Sequence, residues 1–154
     1  MLEKYLNSSA ILPRLKATLK EEVLAEIANS ISANFKELSA AEITKALKDR
    51  EQIDSTAIEG GVAIPHAKLE GLTKVIVSVA RSASGIDFSS HDKKPTSLFF
   101  VILAPFNGAA EHIKLLARLA KILTVGDIKV KLLEAKNTEE IYNLLIDADK
   151  KLDE

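Results

Sequence analysis

Leu98-Phe99-Phe100-Val101-Ile102-Leu103, closed by Ala104-Pro105, is the longest apolar run in the chain. A strand with one face in water alternates polar with apolar, so an unbroken run of β-branched and aromatic residues predicts a strand covered on both faces, in the middle of a sheet. Before it, Val75-Ile76-Val77-Ser78-Val79-Ala80 reads as a second strand, and Val62-Ala63-Ile64 as a brief third one stopped by Pro65. The polar stretch 82–94 reads as the connection between the two long strands.

Helices are predicted on either side of these runs. Thr18-Leu19-Lys20-Glu21 fits a capping box, and Leu19, Val23, Leu24, Ile27, Ala28 and Ile31 follow at helical spacing to about Asn34. Ser39-Ala40-Ala41-Glu42 repeats the signal, with Ile43, Ala46 and Leu47 leading to Arg50. Beyond Pro105, Ile113, Leu116, Leu119, Ala120 and Leu123 form a stripe over 110–123. A further helix is expected near 128–135. Asn137-Thr138-Glu139-Glu140 caps a last one with Ile141, Leu144 and Leu145 on its apolar face, and the charged tail after Asp147 is expected to fray. Strands and helices intermixed in this way predict an α/β fold: a central mixed sheet with helices on both faces, three layers deep.

The chain has 154 residues, a length that suits one domain spanning 1–154 and burying about two-thirds of the surface it exposes when unfolded. Apolar residues make up 47% and charged residues 28%, the balance of an ordinary globular protein rather than a disordered one. The formal charge is −1 and the lysines are dispersed, which argues against nucleic acid as a partner. Without cysteine there is no disulfide framework, thiolate metal site or cysteine nucleophile. No secretory signal pattern opens the chain and no run is long enough to span a bilayer, so a cytoplasmic location is expected.

Only His66, His91 and His112 offer an imidazole, the side chain whose neutral, nucleophilic form is plentiful near neutral pH. His66 follows Ile64-Pro65 at a strand end, where the proline restricts the backbone and holds the side chain at the sheet's edge. Local context alone leaves it open whether this is a nucleophile or a solvated surface histidine. His112 falls in the first turn of its helix, on the face of Leu115, Leu116 and Leu119, where unpaired backbone N–H groups attract anions. An ordinary half-buried histidine fits that position equally. His91 lies in the polar Ser89-Ser90-His91-Asp92-Lys93-Lys94 connection and reads as solvated. Arg50 closes the second helix with a fork of donors that suits two phosphoryl oxygens, or serves as a C-terminal cap cation. Ser55 and Thr56 offer hydroxyls to the same oxygens or shape the turn. Gly60-Gly61 is no P-loop, because no Gly-Lys-Ser/Thr follows. No His-x-x-x-His spacing supports a metal, and no cofactor is called for.

Taken in order, Arg50-Glu51, Ser55-Thr56, Gly61-Val62-Ala63-Ile64-Pro65-His66 and Glu111-His112-Ile113-Lys114-Leu115-Leu116 resemble the enzyme IIA pattern of the fructose/mannitol class of the bacterial sugar phosphotransferase system. Gly85-Ile86-Asp87-Phe88 and Ala104-Pro105 extend the resemblance over nearly the whole chain. It implies that His66 is the phosphorylated residue, that His112 lies beside it, and that Arg50 helps to hold the phosphoryl group and dock the partner. Ser55 and Thr56 line the same pocket by that resemblance. The implied donor is an HPr-type phosphocarrier protein; the implied acceptor is an enzyme IIB or a regulated cytoplasmic protein. Ile-Pro-His-Ala-Lys-Leu-Glu is similar to the stand-alone nitrogen-regulatory branch of the family, in which phosphorylation tunes binding to other proteins. The chain departs from the pattern where Asp54 replaces a glycine before the Ser-Thr pair and Ala57-Ile58-Glu59 precedes Gly60, adding two acids near the site.

Overall fold

The computed structural model describes residues 1–154. A one-turn helix at Leu2–Lys4 leads into β1 (Leu6–Leu12), α1 (Lys20–Asn34) and α2 (Ala40–Ile53). Three short strands follow: β2 (Ala57–Ile58), β3 (Val62–Ala63) and β4 (His66–Lys68). The long strands β5 (Ile76–Ile86) and β6 (Thr96–Ala104) come next, then α3 (Ala109–Ile122), α4 (Ile128–Glu134) and α5 (Thr138–Lys151).

The apolar run is the middle of the sheet. Strand order is β1-β5-β6-β3-β2, with β5 antiparallel to β6, β1 parallel to β5 and β3 parallel to β6. Along β6, Leu98, Phe100 and Ile102 turn to one face and Phe99, Val101 and Leu103 to the other, because successive strand residues point oppositely. The first set packs with α3, α4 and α5 through Leu115, Leu119, Leu132 and Leu145. The second packs with α1 and α2 through Leu24, Ile27, Ile43 and Leu47. Helices therefore cover both faces of a mixed sheet, as expected. Phe99 and Phe100 are fully buried, and truncating either to alanine should cost about 3–5 kcal/mol.

The structure corrects several sequence expectations. β1 was not predicted, because Asn7-Ser8-Ser9 interrupts its apolar residues. Leu6 pairs Val77 while Ile11 pairs Val79, so those three and Ala10 bulge out of the edge. Helix α1 has Leu19 as its N-cap with no side-chain bond, so the Thr18 capping box does not form. Ser39 and Asn137 do cap, accepting from the Glu42 and Glu140 amides at 3.3 and 2.9 Å. The α3 stripe is rotated: His112, Leu115, Leu119 and Ile122 are buried, whereas Ile113 is 67% exposed. The tail does not fray after Asp147, since α5 continues to Lys151 with Asp149 buried. Asp149 accepts from the Leu2 amide at 2.9 Å and from Arg118 Nε at 2.6 Å, so its charge is matched inside the fold.

Candidate functional site

Two strands share one side of β6 in tandem. β3 pairs through Val62 and Ala63, the chain passes Pro65, and β4 resumes with His66 opposite Ile102. Pro65 lacks an amide proton but its carbonyl accepts from the Ile102 amide at 3.0 Å, so the ladder continues through the proline. His66 is thus the first residue of a strand and not a loop residue past its end. Sharing the pleat of Ile102, its side chain turns toward α3. Pro105 and Gly108 steer the chain from β6 into α3, whose first turn brings His112 over β4. The two imidazole centroids lie 5.0 Å apart with the rings at 75°.

The C-terminal end of α2 forms the opposite wall of a cleft of about 620 Å³ lined by Arg50, Ile53, His66, Lys68, His112 and Ile113, among others. A larger cleft of about 810 Å³ between β1 and the start of α5 holds Tyr5, Lys74 and Tyr142 but no histidine. The smaller cleft is therefore the one with nucleophilic chemistry.

Within it, His66 Nδ1 lies 2.8 Å from the Ile64 carbonyl oxygen. A carbonyl only accepts, so Nδ1 carries the proton and the Nε2 lone pair is free. Burial holds the His66 imidazolium below its ordinary pKa. The Ile64 carbonyl opposes that shift, the Arg50 guanidinium adds to it, and the Glu51 carboxylate again opposes it. His112 is pushed down to about 4, first by burial and then by the positive field of His66 and Lys68. Its Nε2 is buried without a hydrogen-bond partner, a cost tolerated in native structures mostly where a ligand or water completes the bond.

Arg50 donates from Nη1 to the Asp54 carbonyl at 2.8 Å, capping α2 while lining the cleft. Both sequence readings of this residue are therefore compatible. Ser55 and Thr56 stand behind the cleft wall: Ser55 Oγ donates to the Phe88 carbonyl at 2.7 Å, and Thr56 Oγ1 donates to Glu51. Their hydroxyls are engaged within the protein. His91 is exposed and its Nε2 lies 3.8 Å from Asp54 Oδ1, away from the other histidines' contact. The Asp54 carboxylate accepts from the Ser55 amide at the end of α2, and Glu59 is exposed in the β2–β3 turn, so neither added acid lines the cleft. That turn needs left-handed backbone at Gly60 and Gly61, with φ of 84° and 80°. Lys68 and Ile53, not singled out from the sequence, also line the cleft. The signal for Lys68 was there: two residues after His66 on a strand lies the same face.

Comparison with known proteins agrees with this geometry. Residues 4–148 match the family described as "Phosphoenolpyruvate-dependent sugar phosphotransferase system, EIIA 2". A nitrogen regulatory protein of Bradyrhizobium diazoefficiens is 40% identical over 136 residues, covering 88% of each chain. A fructose-specific EIIA component of Haloferax volcanii is 41% identical over 100 residues, 65% of each chain. The crystal structure of IIA-Ntr from Neisseria meningitidis superposes with a TM-score of 0.87 at 28% identity, covering 94% of this chain and 98% of that one. With a family match running almost from end to end and a mixed sheet that places two histidines in one cleft, this chain belongs to the type 2 enzyme IIA family of the phosphotransferase system and is a phosphoryl carrier.

Proposed function

We propose that His66 is the residue that carries the phosphoryl group, on Nε2. The observation that carries this reading is the Nδ1–Ile64 bond, which fixes a ring that lines the cleft and leaves the other nitrogen's lone pair free. That lone pair attacks phosphorus of an incoming phosphohistidine. The donor's N–P bond breaks, and its electrons return to the donor ring. The Ile64 carbonyl stabilises the positive charge that develops on His66. His112 supplies the unpartnered Nε2 position beside it, and with Nε2 protonated it donates to a phosphoryl oxygen. Arg50 turns part of its guanidinium fork toward the same group while the rest holds Asp54. Ser55 and Thr56 act by shaping the wall that carries Glu51 and Phe88.

The donor is an HPr-type phosphocarrier protein, and the protein acts in nitrogen regulation, its phosphorylation state deciding which protein it binds. The similarity to the Bradyrhizobium regulatory protein over most of both chains supports that branch. The similarity to a fructose-specific component favours a second reading, in which an enzyme IIB takes the phosphate. Incubation with phosphoenolpyruvate and the general phosphotransferase proteins, read by intact mass, tests the carrier residue. One acid-labile phosphate is expected on the wild type and none on His66→Ala. Labelled His66→Ala overturns the assignment. Rapid transfer to one sugar-specific IIB, with no partner distinguishing the two states, moves the protein to the transport branch.

A further inference from the structure

Behind the cleft wall lies a half-buried ion pair that the transfer chemistry does not require directly. Glu51, one residue after Arg50 on α2, has a side chain 5% exposed, and Lys20 Nζ from the start of α1 reaches its Oε2 at 3.0 Å. The same carboxylate accepts from the Thr56 amide at 3.2 Å and from the Thr56 hydroxyl. Lys20 also lies 4.5 Å from the centroid of the buried Phe88 ring. A surface lysine would give little here. This one is held against a carboxylate inside the fold, an arrangement that usually contributes less to stability than well-packed apolar side chains of the same volume.

The connection from this pair to the histidine is continuous. Thr56, pinned by Glu51, accepts at its carbonyl from the Ile64 amide at 3.0 Å, and the Ile64 carbonyl accepts from His66 Nδ1 at 2.8 Å. No other side chain anchors the Thr56 backbone. Glu51 also opposes Arg50 in the field at His66.

From this chain of bonds we infer that the Lys20–Glu51 pair is a positioning device for the phosphoryl-accepting histidine, holding Ile64 where its carbonyl selects the Nδ1–H form of His66. The inference rests on His66 being the phosphoryl acceptor, yet its main readout does not. The groups that face His66 are Arg50 and Glu51 from α2, Lys68 from its own strand and His112 from α3. All but Glu51 are left untouched by the test.

The experiment is a nitrogen-15 NMR titration of the histidine rings in the intact protein without any phosphoryl donor, alongside the rate of phosphate acceptance. Glu51→Gln keeps the length of the side chain and removes the charge. It should lower the His66 titration midpoint, mix its two neutral tautomers, and slow acceptance by about tenfold to a hundredfold. Lys20→Met should likewise mix the tautomers and slow acceptance, and Lys20→Arg should restore both. If Glu51→Gln does not fold, Lys20→Met and its rescue decide the question. A pair that is only structural would lower the melting temperature and leave the tautomer ratio and midpoint of His66 unchanged. That outcome in the folded variants overturns the inference. Loss of acceptance in the wild type with the NMR result intact would count against His66 as carrier and not against the positioning role.

Discussion

His66 and His112 leave water together, and burial lowers the proton affinity of both. For a carrier this is useful, since an imidazole attacks phosphorus only when unprotonated. It also sets a direction for stability. The folded pKa of His112 is about 4 against an ordinary value of 6.5, so the unfolded chain binds its proton first as pH falls. Stability contributed by the neutral ring is complete above about 6.5 and is lost progressively toward about 4. Urea denaturation across that window should show a loss of at most about 1.4 kcal/mol per pH unit from this group. His112→Gln should flatten the slope, and an unchanged slope would place the titrating group elsewhere. His112→Gln should still accept phosphate on His66 while passing it on more slowly, measured by quench-flow transfer to a partner. Arg50→Lys should impair transfer more than stability, because a point charge cannot serve Asp54 and a phosphoryl oxygen at once.

At the level of elements, α3 shows why part of the site could not be read from periodicity. A helix that obeyed the expected stripe would bury Ile113, whereas the fold leaves Ile113 exposed and buries the face that carries His112, Leu115 and Leu119. The site has exchanged a polar residue for an apolar one at the place where sequence pattern and function conflict. Ile53 on α2 is likewise 79% exposed and lines the cleft with Ile113. These exposed residues contribute little to folding, so Ile53→Asp and Ile113→Asp should leave the melting temperature nearly unchanged. Both should lower the second-order rate of phosphate acceptance on the proposal that the donor protein docks over this apolar rim. A wild-type rate in both would show that docking uses another surface. β1 was illegible for a different reason: its polar bulge removes the alternation that identifies a strand, while giving the sheet a broken edge unsuited to pairing with another chain. The central strand β6 and the Ser39 and Asn137 caps were legible because each depends only on neighbouring residues, whereas the Ile-Pro-His step drew its meaning from the family resemblance and its strand pairing from β6.

Across the whole molecule, long-range partners decide what local reading cannot. Local sequence predicts that the charged tail frays, yet Asp149 receives Arg118 from α3 and the Leu2 amide from the beginning of the chain. Asp149→Ala removes the buried acceptor shared by the Leu2 amide and Arg118 Nε, while Arg118 keeps Asp153 and the backbone carbonyl of residue 149, and should cost about 1–3 kcal/mol in denaturant unfolding. A loss below about 1 kcal/mol would show that solvent takes over the contacts. The same dependence on distant partners hid the Lys20–Glu51 pair, whose members belong to different helices.

The histidine ring is already clamped to Ile64 before any phosphate arrives. A site built in advance has little to rearrange, so the carrier and its phosphorylated form should have nearly the same outline. A protein that tells the two apart must then sense potential and not contour, and potential is attenuated by dissolved ions over about 8–10 Å at physiological salt. The ratio of its affinities for the two states should shrink as potassium chloride is raised, while the weaker of the two, if held by the apolar rim, changes little. Such a signal is readable only as well as the surrounding electrolyte permits, which makes the ionic composition of the medium a second input to whatever this phosphate reports.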